Sequence, residues 1–204
     1  MLRISEEEYQ KITGRKTAKP ETAVRSYTAM RSWETGKAFE DLIELQCDIY
    51  KKSGVAVIDK IPEPFLVQKK ERNGMFTGRF TARKAQPDFQ GTVSGGRSIL
   101  IEAKSTAKDR ISISVLTETQ QNMLKAHSGL GAMCMVACRI GNSDFCVPWD
   151  EWDSMERTLG HRYATASELK RLGFEITAAR NNPLPFIETY KRWEKEKTEE
   201  IKRA

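Results

Sequence analysis

The chain has 204 residues, 39% of them hydrophobic and 30% charged, and a formal net charge of +6. That length suits one domain of ordinary size plus tails, and the cationic excess suits a polyanionic partner, either nucleic acid or an anionic membrane surface. No window approaches a membrane-spanning apolar helix, and Glu6, Glu7 and Glu8 leave no signal-peptide core, so a soluble, cytoplasmic protein without a membrane partner is expected.

Four cysteines occur (Cys47, Cys134, Cys138, Cys146), without a Cys-x-x-Cys pair and with only two histidines. That argues against structural zinc and for small buried thiols. Residues 1–33 carry scattered cations (Arg3, Lys11, Arg15, Lys16, Lys19, Arg25, Arg31) and poor apolar periodicity. They read as a flexible basic arm with one short helix near Ile4–Ile12. Spacing predicts the first long helix over Thr35–Ser53, with Phe39, Leu42, Ile43, Cys47 and Tyr50 on one stripe and Gly54 at its end. Glu40 sits at the edge of that stripe, as a solvated flank or as a site residue if the helix packs beside the acidic hairpin described next.

Val55–Ile61 reads as a strand closed by Pro62 and Pro64. The next segment sets six cations (Lys69, Lys70, Arg72, Arg79, Arg83, Lys84) against one acid, Glu71, with Phe76 and Phe80 interleaved. A solvated loop would account for it. Cations mixed with aromatics also suit backbone phosphates and exposed bases, and nucleic-acid contact is the favoured reading.

Pro87-Asp88-Phe89-Gln90-Gly91 and Ile99-Leu100-Ile101-Glu102-Ala103-Lys104 flank a Gly-rich turn. Alternation puts Leu100, Glu102 and Lys104 on one strand face and Ile99, Ile101 and Ala103 on the other. Asp88 on the neighbouring strand can join Glu102. Two carboxylates suit a hard cation such as Mg²⁺ (or Mn²⁺), and Lys104 can orient a water or neutralise a phosphate. A two-residue Gly95-Gly96 turn would set Asp88 opposite Ala103, on the wrong face. The site therefore requires an odd residue, in a three-residue turn or a bulge near Gly91. A surface hairpin with a Glu–Lys pair is the competing account.

A polar link with Lys108 and Arg110 and a short strand over Ile111–Val115 follow. Thr117-Glu118-Thr119-Gln120 matches a capping box opening a helix to about Ser128. Gln120 is thus either a cap or, at a helix N-terminus, a phosphate-facing group. Ala132–Cys138 reads as a central strand buried on both faces, Phe145–Val147 as its return, and Asp150 or Ser154 as the start of a short helix. Ser167 is expected to cap a helix over Glu168–Leu172, before a small strand Phe174–Ile176 and a last helix from Phe186 to about Lys202 with Ile187, Tyr190 and Trp193 on its stripe. No phosphate loop, dinucleotide fingerprint or serine elbow is present, so no nucleotide cofactor is expected. The order predicts an α/β fold, a mixed central β-sheet flanked by helices.

Glu40 on a first helix, Pro87-Asp88, Glu102-Ala103-Lys104 and then Gln120 resembles the PD-(D/E)xK nuclease superfamily with its restriction-endonuclease-like fold. Within it the chain is similar to RecU-type Holliday junction resolvases over about residues 36–193. The residues that carry this are Gly36-x-x-Phe39-Glu40, Ile101-Glu102-Ala103-Lys104, Thr119-Gln120-Gln121-Asn122-Met123-Leu124-Lys125, and Ser167 to Ile176 followed by Pro and an aromatic-rich helix. One departure is Pro87 where such resolvases often carry a threonine. The resemblance implies a nuclease domain over 34–193, a charged helix end over 194–204, and a protruding basic stalk at 65–84 that enters the junction centre. It also implies a Mg²⁺-dependent endonuclease making paired symmetric nicks in four-way DNA junctions, as a homodimer. Asp88, Glu102 and the Ala103 carbonyl would bind metal. Glu40, Lys104 and Gln120 would assist. Lys69, Lys70, Arg72, Phe76, Arg79, Phe80, Arg83 and Lys84 would touch DNA. Another PD-(D/E)xK endonuclease that cuts duplex DNA, and a non-catalytic junction- or DNA-binding protein, stay open as alternatives.

Overall fold

A computed structural model describes residues 20–62, 65–70, 76–80 and 86–203, with the backbone alone at 20–35, 65–67, 69–70 and 76–80. Chain order is α1 (Pro20–Lys52), β1 (Ala56–Lys60), β2 (Phe65–Lys70), β3 (Phe76–Phe80), β4 (Phe89–Val93) and β5 (Ser98–Thr106). Then come β6 (Arg110–Ser112), a 3₁₀ turn (Ile113–Val115), α2 (Glu118–Gly129), β7 (Met133–Ile140), β8 (Ser143–Pro148), α3 (Trp149–Leu159), β9 (Tyr163–Thr165), α4 (Ala166–Arg171) and α5 (Phe186–Arg203).

Five strands form one mixed sheet in the order β1-β4-β5-β7-β8, in which only β5 and β7 run parallel. The parallel pair requires a crossover, and the chain supplies it as β6, the 3₁₀ turn and α2. Alternation along β5 and β7 divides the core. Ile99, Ile101, Ala103, Met133, Met135 and Ala137 face one side, where Phe39, Ile43 and Tyr50 of α1 and Phe186, Ile187 and Tyr190 of α5 cover them. Leu100, Cys134, Val136 and Cys138 face the other, under Leu124 of α2 and Trp152 and Met155 of α3. Both strands are therefore apolar on both faces, as expected for the sheet centre.

The helix expected from Thr35 begins at Pro20. Proline is well suited to a first helical position, and no glycine interrupts residues 20–35. The turns before Gly36 lack an apolar stripe, which hid them from a periodicity reading. The short helix expected near Ile4–Ile12 lies outside the described residues. The expected strand Ile111–Val115 divides into β6 and the 3₁₀ turn, with the Ser112 side chain accepting from the Ser114 N–H. The third helix starts at Trp149, and Ser154 lies inside it, bonded back to the Asp150 carbonyl at 2.8 Å. The cap of α4 is Thr165, not Ser167. Thr165 is extended and Glu168 reaches back to its N–H at 2.9 Å, completing a capping box. Phe174–Ile176 contributes one bridge, Glu175 to Phe145, not a strand. β9 had no sequence signal.

The basic segment contains the antiparallel pair β2–β3, a two-stranded sheet separate from the central one, with a register shift between Val67 and Lys69. Arg72, Arg83 and Lys84 lie outside the described residues, as do the side chains of Lys69, Lys70, Phe76, Arg79 and Phe80. Among the described residues no helix is long and apolar enough to cross a membrane.

One backbone approach constrains the sheet. Gly91 pairs with Ile58, and a Cβ built on it would sit 2.0 Å from the Val57 carbonyl oxygen. Only glycine lets β4 lie this close to β1. Gly91→Ala is expected to cost about 3 kcal/mol of stability, read by urea or thermal unfolding, because the obstacle is a backbone atom that cannot rotate away.

Candidate active site

β4 and β5 pair Phe89 with Ile101, Gln90 with Leu100, Gly91 with Ile99 and Thr92 with Ser98. Val93 and Arg97 close the ladder, with the Val93 N–H donating to the Arg97 carbonyl at 2.9 Å. Ser94, Gly95 and Gly96 therefore form a three-residue turn, with both glycines at positive φ (92° and 86°). This supplies the odd residue that the sequence required. The register carries Asp88 opposite Glu102, on the face that also holds Lys104.

The three side chains meet. Asp88 Oδ2 accepts from the Ala103 N–H at 2.9 Å, and Lys104 Nζ stands 3.8 Å from that oxygen. The same ammonium donates to Glu102 Oε1 at 2.6 Å. Gln120 completes the cluster from α2. Its Oε1 accepts from the Thr117 N–H at 2.9 Å, closing the capping box, while its Nε2 donates to Glu102 Oε1. Of the two roles read for Gln120, the cap is present, and the far end of the amide holds a carboxylate, Glu102, that the sequence did not name as its partner.

Glu102 is fully buried. Burial pushes its carboxyl from an ordinary 4.5 up to about 7; Lys104 opposes that rise and the nearby Asp88 charge adds to it. Its second oxygen, Oε2, is buried without a hydrogen-bond partner. An unpaired, buried carboxylate oxygen beside a second carboxylate 16% exposed is the donor chemistry a hard divalent cation uses. Among the described residues no three His, Cys, Asp or Glu gather about one point. Any such ion would therefore draw its remaining ligands from backbone, water or substrate, as Mg²⁺ commonly does.

Glu40 is not part of this cluster. Its Oε2 lies 3.1 Å from Lys60 Nζ, which also binds Glu44 Oε1 at 2.5 Å. Burial works against the Lys60 charge, but the two glutamates outweigh it and raise its pKa. Lys60 pairs with Phe89 and stands over its ring at 5.9 Å, on the α1 face of the sheet, whereas Asp88, Glu102 and Lys104 share the opposite face. Ala103 is buried in the α1-side core, and its N–H is the donor to Asp88. All four cysteines are buried. Burial pushes Cys47 and Cys134 up to about 12 and Cys138 and Cys146 up further, so they fill space and are no nucleophiles. Sequence reading passed over the cleft beside Lys104, where Arg110 of β6 and Arg162 beside β9 come together. The two cations are far apart in the chain, and β9 had no pattern to announce it.

An acid after a proline, a Glu-x-Lys on the adjoining strand and a mixed sheet between helices are the arrangement expected from the resemblance to PD-(D/E)xK nucleases. The chain belongs to the recombination protein U family, whose model matches residues 34–192. Members of that family are endonucleases acting on Holliday junctions. Its fold is similar to that of Hjc, a Holliday junction resolvase from the archaeal hyperthermophile Archaeoglobus fulgidus, at 19% identity and a TM-score of 0.42 over 69% of this chain and 95% of that one. A comparison with proteins of curated function finds no match.

The raised pKa of Glu102 has a stability consequence. A carboxyl raised by folding holds its proton more tightly in the native state, so its contribution is full below about 4.5 and is lost as pH rises through about 7. The loss is on the order of 3 kcal/mol. Glu102→Gln removes it. In chelator, this variant is expected to melt roughly 5–10 °C above wild type at pH 8, with the gain gone by pH 5. A pH-independent difference would contradict the burial account.

Proposed function

We propose that the protein is a divalent-metal-dependent endonuclease that resolves four-way DNA junctions by paired, symmetric nicks, with the Asp88–Glu102–Lys104 cluster as its active site. The observation that supports this most is the register. A three-residue turn aligns Asp88 with Glu102 and leaves a buried Glu102 oxygen unpaired. Asp88 and Glu102 would hold Mg²⁺, or Mn²⁺ in its place, and the Ala103 carbonyl is a fitting third donor. A strand residue directs its N–H and C=O to the same edge, and the Ala103 N–H already points to Asp88. When bound, such an ion lowers the pKa of a water and offsets charge on the phosphate.

This chain's own residues supply the rest. Lys104, fixed between the two carboxylates, presents its ammonium where it can orient the attacking water or donate to a non-bridging phosphate oxygen. Gln120 keeps Glu102 Oε1 engaged, so that Oε2 is the oxygen turned to a ligand. The assisting role expected of Glu40 is the one this geometry favours least, since its pairing with Lys60 holds it on the α1 side of the sheet. The basic hairpin β2–β3 would enter the junction, its Lys69, Lys70, Arg72, Arg79, Arg83 and Lys84 on phosphates and Phe76 and Phe80 on exposed bases. Two opposed strands cut symmetrically call for two sites, and hence for a homodimer.

Asp88→Asn is expected to lower Mg²⁺-dependent cutting of a synthetic four-way junction by about a thousandfold or more while leaving junction affinity in chelator intact. Continued cutting would overturn the assignment, and cutting of linear duplex as readily as junction would replace a resolvase with a general nuclease. Replacing Lys69, Lys70, Arg72, Arg79 and Arg83 with alanine is expected to weaken junction binding at least tenfold and to flatten its dependence on salt. Unchanged affinity in a gel-shift titration would remove that hairpin from the DNA path.

A further inference from the structure

Beyond Lys104 the chain leaves β5 and returns at Gln120, and the connection encloses a cleft of about 460 Å³. Ser105 and Thr106 line it from the end of β5. Lys108, Arg110 and Ser112 line it from β6 and the link before it, and Arg162 and Tyr163 from β9 and the residue before it. Alternation places Thr106 on the Lys104 face, about 7 Å further along the strand. Ile111 and Ala164, the buried residues of β6 and β9, pack in the same core cluster as Leu100 and Val136. β6 and β9 therefore pack on the sheet face that carries Glu102 and Lys104.

Arg110 is held by its side chain and Arg162 by its backbone. The Arg110 guanidinium lies 4.9 Å from the centre of the Tyr163 ring, and His161 is stacked on that ring at 4.0 Å. His161 is itself braced by Glu168 Oε1 at 3.0 Å and the Tyr163 carbonyl at 2.8 Å. The Tyr163 ring thus aims Arg110. The Arg162 carbonyl accepts from the Ile113 N–H at 3.1 Å and from Ser112 Oγ at 3.3 Å, tying that residue to the opposite wall. Two acids stand nearby. Asp109 Oδ1 is 4.0 Å from Arg110 and Glu156 Oε2 is 3.5 Å from Arg162, all four side chains being more than half exposed. Exposed pairs of this kind are weak and readily exchanged for a phosphate.

We propose that this cleft binds a backbone phosphodiester of the DNA strand being cut, with Arg110 and Arg162 as its donors and Lys108 as a supporting charge. The cleft positions the strand and takes no part in the chemistry. The inference rests on the nuclease reading of the neighbouring cluster.

The test compares the full-length wild type with Arg110→Gln/Arg162→Gln on a four-way junction. Affinity and its salt dependence are measured in chelator, and cutting is measured with Mg²⁺ at saturating enzyme. A second junction carries an uncharged methylphosphonate at each position one to three nucleotides from the cut. The double variant should bind about tenfold more weakly, with a log–log salt slope shallower by about 1 to 2. A methylphosphonate at one position should weaken wild type and leave the variant unaffected. Arg110→Lys/Arg162→Lys should recover most of the affinity, which a merely misfolded variant would not explain. Equal affinity and slope, or a wild type indifferent to every methylphosphonate, would overturn the proposal. Wild type that binds the junction but does not cut would defeat the catalytic reading, and the chelator arm would still decide the cleft.

Discussion

Asp88 faces Glu102 because the turn between their strands has three residues. Every other property of the site depends on that register. One residue fewer would carry Asp88 to Ala103 and turn its carboxylate into the apolar layer under α1 and α5. The positive φ of Gly95 and Gly96 makes the longer turn possible, and Gly91 then lets β1 close against β4 at a distance no Cβ would allow. The carboxylate pair is thus set by backbone geometry at three glycines, none of which carries any chemistry of its own.

The same register sets the electrostatics. Burial is the main cost to the Glu102 charge, and the Asp88 carboxylate that the register sets beside it adds to that cost. Lys104 and Gln120 answer that cost on one oxygen only. The other is left without a partner, which is an unfavourable arrangement for an inert structural acid and an appropriate one for a ligand. A fully satisfied ion pair would have been easier to bury and of no catalytic use.

How much of this was legible follows from distance along the chain. The carboxylates and lysine lie within Asp88–Lys104, on two strands joined by one short turn, so alternation alone demanded the extra turn residue. The capping box at Thr117 and the doubly buried β7 were equally local. What stayed hidden depends on remote partners. Gln46 is buried because its Oε1 accepts from the Leu184 N–H, 138 positions away, and no pattern around it says so. β9 is three residues long and exists because β6 pairs with it. The first half of α1 lacks the apolar stripe by which helices are recognised. Glu40 shared a motif with the cluster, yet the face of its helix directs it to Lys60.

Gln120 links the closing of a helix to the shaping of the acidic cluster. One end of its amide completes the first turn of α2, and the other holds Glu102. A nascent chain in which α2 has not yet docked against the sheet lacks this clasp, and its glutamate remains an ordinary solvated acid. Competence to cut would then arrive only with completion of the crossover, after β5 and α2 have both been made and brought together.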